Sequence, residues 1–321
     1  MSMQPDSTTQ IELVTGSRQR QKITIANDRL QALQQRFALA TVLIPFLGSV
    51  LAIGLLWRSG IGAVEVGLLV SMYFLSLIGI TVGFHRHFSH RAFQTNAAIR
   101  VMLAILGSMA AQGPIIHWVS SHRRHHQYSD QPGDTHSPHL CEGEKLIWLR
   151  GFWHAHVGWM FNSEMTNSAL FAKDLLRDSA IAKVNQLYLT WVFLGLAIPS
   201  VLGGVLTGMW MGAFQGVLWG GLVRIFLVHH ATWSINSITH LYGSRPFDTR
   251  EQSTNNIWLV IPTGGEAWHN NHHAFPTSAK FGLLWWQIDL GYWVIRALEL
   301  TGLVWNVKVP TADMLSAKKA A

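Results

Sequence analysis

Nine of the chain's 17 histidines fall in three short runs. They are His85-Arg-His-Phe-Ser-His90, His122-Arg-Arg-His125-His126 and His269-Asn-Asn-His272-His273. Imidazole is the commonest metal-binding side chain, and helical residues three and four apart project from one face. Three such runs brought together offer too many nitrogens for a four-coordinate zinc site and enough for a pair of transition metals. A lone histidine on an apolar face is usually a satisfied core residue, but three runs in one chain point to a metal centre. Nitrogen-rich ligation suits iron, copper, nickel and zinc alike, so the residues themselves leave the metal open. The single cysteine, Cys141, excludes a disulfide framework and any cysteine-ligated zinc or iron–sulfur site within one chain.

These runs must be positioned by a chain that reads as membrane. Of 321 residues 49% are hydrophobic and 13% charged, against about 25% charged in an average soluble domain. Fifteen tryptophans and a mean hydropathy of +0.21 point the same way. Four stretches are apolar over about the 20 residues that a bilayer core requires: Phe37–Trp57, Ile61–Gly83, Tyr188–Leu206 and Met211–Thr232. Short turns at Arg58-Ser59-Gly60 and Thr207-Gly208 predict two hairpins. A fifth stretch, Ile99–Val119, is broken by Gly107, Gly113 and Pro114, and reads as interfacial or re-entrant.

Residues 1–36 form a polar tail with no apolar core of a signal peptide, and residues 310–321 form a second tail. Of 24 Lys and Arg, five lie up to Arg36, ten in 85–187 and seven from Trp233 onward. The positive-inside rule then puts both termini and the segments 84–187 and 233–309 in the cytoplasm. The net charge of +7 is therefore assigned to topology, and no nucleic acid is expected. From Ile61 to His85 is about 36 Å of helix, and from Met211 to His240 about 43 Å, both longer than a hydrocarbon core of about 30 Å. The expected fold is an all-α integral membrane protein. Four transmembrane helices in two hairpins carry a helical cytoplasmic cap, which holds a histidine-rich dimetal site.

The pattern HxxxxH (His85, His90), HxxHH (His122, His125, His126) and HNxHH (His269, His272, His273), with a hairpin before the third box, resembles the membrane fatty acid desaturases. The resemblance is to the stearoyl-CoA (Δ9) group and its bacterial and cyanobacterial acyl-lipid relatives, and covers roughly Phe37 to Val309. It implies a ninth histidine in an NxxxH pattern, here Asn236-Ser-Ile-Thr-His240, with Asn236 acting through a bound water. The implied ligands of two iron ions are His85, His90, His122, His125, His126, His240, His269, His272 and His273. The implied reaction inserts a cis double bond, at Δ9, into a saturated acyl chain, consuming O2 and two electrons. Chemistry agrees, because no side-chain acid or base removes hydrogen from an unactivated C–H bond, and a cofactor must supply the oxidant.

The other eight histidines are left out of the metal set: His87, His117, His136, His139, His154, His156, His229 and His230. Asp130, Asp134 and Glu266 are candidate acceptors for the second ring nitrogen of a ligand. Arg123 and Arg124 read as a solvated or lipid-facing basic pair, with contact to a headgroup as the sharper alternative. Glu65 and Arg224 sit at apparent membrane depth, a functional position by default unless the side chain snorkels outward. Trp118, Gln112 and His117 are candidate substrate contacts; Trp268, Trp285 and Trp286 are assigned to an acyl tunnel or an aromatic belt. Ser120-Ser121 stands where animal acyl-CoA desaturases carry an Arg-Asp pair, which favours an acyl-lipid substrate, with acyl-CoA as the alternative. The third box opens on His269 and not Gln, which argues against front-end desaturases. No GxGxxG, P-loop or HPGG segment is present, so electrons must come from a separate ferredoxin or cytochrome b5, drawn to the basic face. A hydroxylase or ketolase with the same centre is the alternative within oxidative chemistry. A metal transporter would instead hold its ligands at the bilayer midplane, in broken helices or repeats.

Overall fold

The structure, a computed structural model, describes residues 23–141, 144–162 and 164–320. Most of the tail expected over residues 1–36 thus lies outside the described residues. Among these residues four helices are long and apolar enough to cross a membrane. The first, α1 (Asp28–Ser59), starts before its apolar run because Asn27 caps it, its side chain accepting from the Leu30 N–H. The second, α2 (Ala63–Ser89), changes to π-helix over Gly79–Ser89. Glu65 belongs to the N-terminal cap of α2, accepting from the Gly62 N–H at 3.0 Å, so it lies at the end of that helix.

The broken fifth stretch forms two helices, α3 (Ala97–Met109) and α4 (Ile115–Tyr128). At 13 residues α3 spans about 20 Å, too short to cross. The chain reverses through Ala111 and Gly113, both at positive φ, and α4 returns toward the histidines. The stretch is thus two helices joined by a reversal and not one long helix. Short helices α5 (Trp148–His156), α6 (Ser168–Phe171), α7 (Lys173–Arg177) and α8 (Ser179–Gln186) follow. Then come the apolar helices α9 (Tyr188–Thr207) and α10 (Trp210–His240), the latter π-helical over Val217–Val223. The chain ends with α11 (His269–Ala274), α12 (Leu290–Leu300) and α13 (Ala312–Ala317).

Helices α9 and α10 touch backbone to backbone. A Cβ added to Gly216 would lie 2.1 Å from the Pro199 carbonyl oxygen, so only glycine permits that approach. Helix α1 leans on the middle of α10, where Ala52 joins Leu218, Trp219 and Val223 in one apolar cluster that Leu69 of α2 borders. Arg224 is fully buried at the centre of the bundle. Its guanidinium donates to Ser76 Oγ, to the Met109 and Gly195 carbonyls and to Gly220, tying α2, α3 and α9 to α10. It does not snorkel. Antiparallel two-residue pairings, Gln94–Thr95 with Val304–Trp305 and Thr24–Ile25 with Met165–Thr166, stitch distant segments around the histidines.

Candidate metal centre

The first box shows why local geometry matters. On an α-helix, residues five apart lie about 140° apart around the axis, so His85 and His90 would diverge. The π-helical end of α2 corrects this. The His90 N–H donates to the His85 carbonyl at 3.2 Å, an i to i+5 bond, and the two rings come to 4.9 Å. His87 turns away to pack on Phe88 and Phe93. In the second box α4 supplies His122, His125 and His126 at helical spacing. His240 closes α10, and α11 carries His269, His272 and His273.

The structure brings these nine rings together as two groups. One holds His85, His90, His122, His126 and His272; the other holds His125, His240, His269 and His273, with ligand atoms within 4.8 Å of one another in each. Inside the groups Nε2 faces Nε2. His90 meets His122 at 2.8 Å, His85 meets His272 at 3.0 Å, and His269 meets both His240 and His273 at 3.1 Å. Two imidazole nitrogens at about 3 Å are spaced as two ligands of one ion with bonds near 2.1 Å. A pair of first-row metal ions therefore fits this donor set.

Carboxylates stand behind the rings. His85 Nδ1 pairs with Glu266, His125 Nδ1 lies 2.9 Å from Asp134, and His240 Nδ1 lies 2.9 Å from Asp130. Donation from Nδ1 leaves Nε2 with its lone pair toward the metal and raises its basicity. Glu251, missed in the sequence, lies 3.7 Å from His273 and 4.0 Å from His240. No motif marks it; it sits on the irregular segment between α10 and α11. Arg86 is fully buried, 2.8 Å from Asp289 and 3.4 Å from Glu266, over the Phe281 ring, and so anchors the carboxylate behind His85.

Burial, reinforced by positive neighbours, holds His90, His122, His126, His269, His272 and His273 well below the ordinary histidine range. They are neutral at physiological pH, the state in which imidazole ligates. Burial alone would raise Asp130, but the charge and hydrogen bond of His240, with donors from Ser137 and Gln252, outweigh it and keep the carboxyl ionised. Asp134 is held down in the same way by His125.

Arg123 and Arg124 are not a solvated pair. Arg123 donates to the Phe88 carbonyl at 2.6 Å, to Ser89 at 3.1 Å and to Asp174, gripping the turn before His90. Arg124, with its side chain 1% exposed, donates to the Gly133 carbonyl at 2.7 Å and to Glu164, gripping the loop that carries Asp134. The sequence misled because two adjacent basic residues resemble a surface run, whereas their partners lie 9 to 51 positions away.

An apolar cavity of about 340 Å³ reaches the first histidine group at His122. Gln112, His117 and Trp118, the candidate substrate contacts, all line it, as do Asn236, Tyr188 and Thr232. Gln112 donates to Thr232 Oγ1 at 2.8 Å and accepts from the Trp118 indole at 3.2 Å, giving the cavity one polar wall. Leu30, Leu33 and Phe37 of α1 and Met160 and Met165 line another side. Among the other tryptophans Trp268 is buried, whereas Trp285 and Trp286 are exposed.

The remaining histidines support the frame. His136 stacks on His125 at 4.3 Å and also lines the cavity. His139 bonds the His240 carbonyl, His229 bonds the Ala110 carbonyl, and His156 bonds Ser237 and His230. His154 is buried beside Asp134, in a small polar chamber adjoining the cavity.

Residues 62–307 match the family described as fatty acid desaturase. The chain is 54% identical over 300 residues to the hex-5-enoyl-[acyl-carrier protein] acetylenase of Moorena producens (strain JHB), covering 93% of this chain and 94% of the relative. It is 36% identical over 247 residues to the sn-1 stearoyl-lipid 9-desaturase of Anabaena variabilis, 76% of this chain and 84% of that one. It is 37% identical over 239 residues to the acyl-CoA C20 Delta5-desaturase of Anemone leveillei, 73% and 70% respectively.

Proposed function

The chain belongs to the fatty acid desaturase family, and on that footing we propose that it dehydrogenates a fatty acyl chain seated beside a pair of iron ions. It is an oxidoreductase. The observation that carries the site assignment is the apolar cavity opening onto His122, a member of the first of the two histidine groups. His85, His90, His122, His126 and His272 would hold one iron, and His125, His240, His269 and His273 the other. Asn236, which lines the same cavity, would reach the second through a water.

When bound, the iron pair supplies O2 activation and the oxidising power for a C–H bond. The chain's own residues do the rest. The carboxylates of Glu266, Asp130 and Asp134 fix the tautomer and orientation of the rings they meet. The apolar walls exclude water and hold the acyl chain extended past Trp118. The balance is –CH2–CH2– + O2 + 2 e⁻ + 2 H⁺ → –CH=CH– + 2 H2O. The electrons come from a separate ferredoxin or cytochrome b5-type carrier. The four apolar helices cross the bilayer in two hairpins within a domain spanning 37–309, with the cap and both termini cytoplasmic.

Two readings of the substrate have support. The one we favour follows the relative at 54% identity: a short acyl chain on an acyl-carrier protein, taken from alkene to alkyne. In that case –CH=CH2 + O2 + 2 e⁻ + 2 H⁺ → –C≡CH + 2 H2O. The cavity's 340 Å³ stands at the small end of the roughly 300–1,000 Å³ usual for small-molecule sites, which suits a short chain. The other reading, a Δ9 cis double bond in a lipid-bound chain, follows the stearoyl-lipid relatives and Ser120-Ser121. Iron-loaded protein with a working donor should be given hex-5-enoyl-carrier protein and, separately, stearoyl lipid, and the products weighed. Loss of two mass units from the first alone supports the favoured reading, and from the second alone the other. Gain of one oxygen, the hydroxylase outcome, overturns both.

A further inference from the structure

The segment between α10 and the third box contains nine consecutive residues without a charge, Ile257-Trp-Leu-Val-Ile-Pro-Thr-Gly-Gly265. It does not fold away from solvent. Ile257 is 58% exposed, Trp258 86% and Ile261 56%. It also does not stay level with the histidines. The Tyr73 hydroxyl donates to the Pro262 carbonyl at 2.5 Å, and Gly264 packs against the Leu77 side chain. Tyr73 and Leu77 lie twelve and eight residues before His85, about 18 and 12 Å back along α2. They are in the middle of its apolar run, beside the exposed Val70 and Phe74.

We propose that Ile257–Gly265 is a membrane-embedded foot that inserts Trp258 and Ile261 into the hydrocarbon of the leaflet adjoining the histidines. The partner is the acyl region of the bilayer. In hydrocarbon backbone polar groups must be satisfied internally, and six of this segment's N–H groups find partners inside it or at Asn256. The N–H groups of Leu259, Val260, Thr263, Gly264 and Gly265 all donate to carbonyls between Asn256 and Ile261. The Trp258 N–H goes to Asn256 Oδ1. Pro262, at the tip, has no N–H to satisfy, and its carbonyl takes Tyr73. The apolar surface is continuous with the exposed face of α2. The foot runs directly into Glu266 and His269, so its insertion depth sets the height of the third box against the lipid.

The inference rests on α2 crossing the bilayer, and the test separates the two. In a Cys141→Ser background, Trp258→Cys and Ile261→Cys are each spin-labelled in liposomes, with Val70→Cys and Gln252→Cys as lipid and water references. Retained metal content shows that each variant is folded. The expected ratio of oxygen to nickel-chelate collision rates at 258 and 261 matches Val70 and is several-fold above Gln252. A ratio like that of Gln252, with Val70 still in lipid, overturns the foot. So does a label shielded from both reagents, the mark of a protein partner. Val70 itself in water overturns the crossing and the foot with it.

Discussion

The two histidine groups are built from the same side chain and differ in what stands behind it. The first has five rings and one carboxylate, Glu266, itself shared with the buried cation Arg86. The second has four rings and three carboxylates, Asp134, Asp130 and Glu251. An imidazole that donates to a carboxylate is a stronger ligand. Buried negative charge also offsets a cation where solvent cannot. The first group therefore compensates by coordination number and the second by charge. The second position should be the tighter one.

The largest effect should come from removing a ring. His272→Ala and His269→Ala should each lower activity more than about 100-fold, beyond the 10–100-fold typical of an outer partner. Each should leave one metal per chain by elemental analysis; loss of both would break the separation into two sites. Next, Fe(II) titrated into metal-free protein should fill the second group first. The first equivalent should then bind His272→Ala as tightly as the native chain and His269→Ala more weakly; the reverse order would sink the charge argument. Removing charge without volume should sharpen it. Asp130→Asn and Asp134→Asn should each weaken the tight site about 10- to 100-fold, and Glu266→Gln should weaken the other position alone.

Smaller effects should come from the arginines. Arg123→Lys loses the fork that grips Phe88 and Ser89 and should disturb the first group several-fold in metal retention; Arg124→Lys should disturb the second. The smallest is a pH effect at Asp174. Burial would raise its carboxyl, but the hydrogen bonds and charges of Arg123 and Arg91 outweigh this and hold it well below the usual range. A carboxyl depressed in the fold gives stability that is complete above its unfolded value of about 4 and is lost as pH falls through the folded value. Thermal melts from pH 5 down to 3 should fall less steeply in Asp174→Asn than in the native chain.

The four apolar helices were legible because hydrophobicity over some 20 residues is a local property, and the three boxes because their spacing is local too. Asp134 and Glu266 were legible as candidate acceptors, but not the ring each one meets: Asp134 pairs with His125 across nine residues and Glu266 with His85 across 181. A histidine ligand needs an acceptor, and buried acids near the boxes are few. The split into five and four was not legible. It depends on where the short helix α11 lands, so that His272 meets His85 and His126 while its neighbour His273 meets His269. Glu251 was hidden for the same reason, on a segment placed only by long-range contacts. Arg224 was visible as an oddity, but three of its four partners are carbonyls, which every sequence has everywhere.

The widened end of α2 also constrains how this chain can tolerate change in length. A π turn holds one residue more than the α turn it replaces. Deleting a single residue between His85 and His90 would leave a four-residue interval, which an ordinary α-helix already aligns. Both rings could then still point one way, but everything after the deletion would be rotated by about 100° and drawn back by about 1.5 Å. Arg91, Gln94 and the start of α3 would lose their partners, although the box itself survived. A one-residue insertion there would instead swing His90 off its group and leave the rest shifted as well. The interval is thus fixed from two sides, by the metal site and by the joinery downstream, and point substitutions should be far better tolerated there than any change of count.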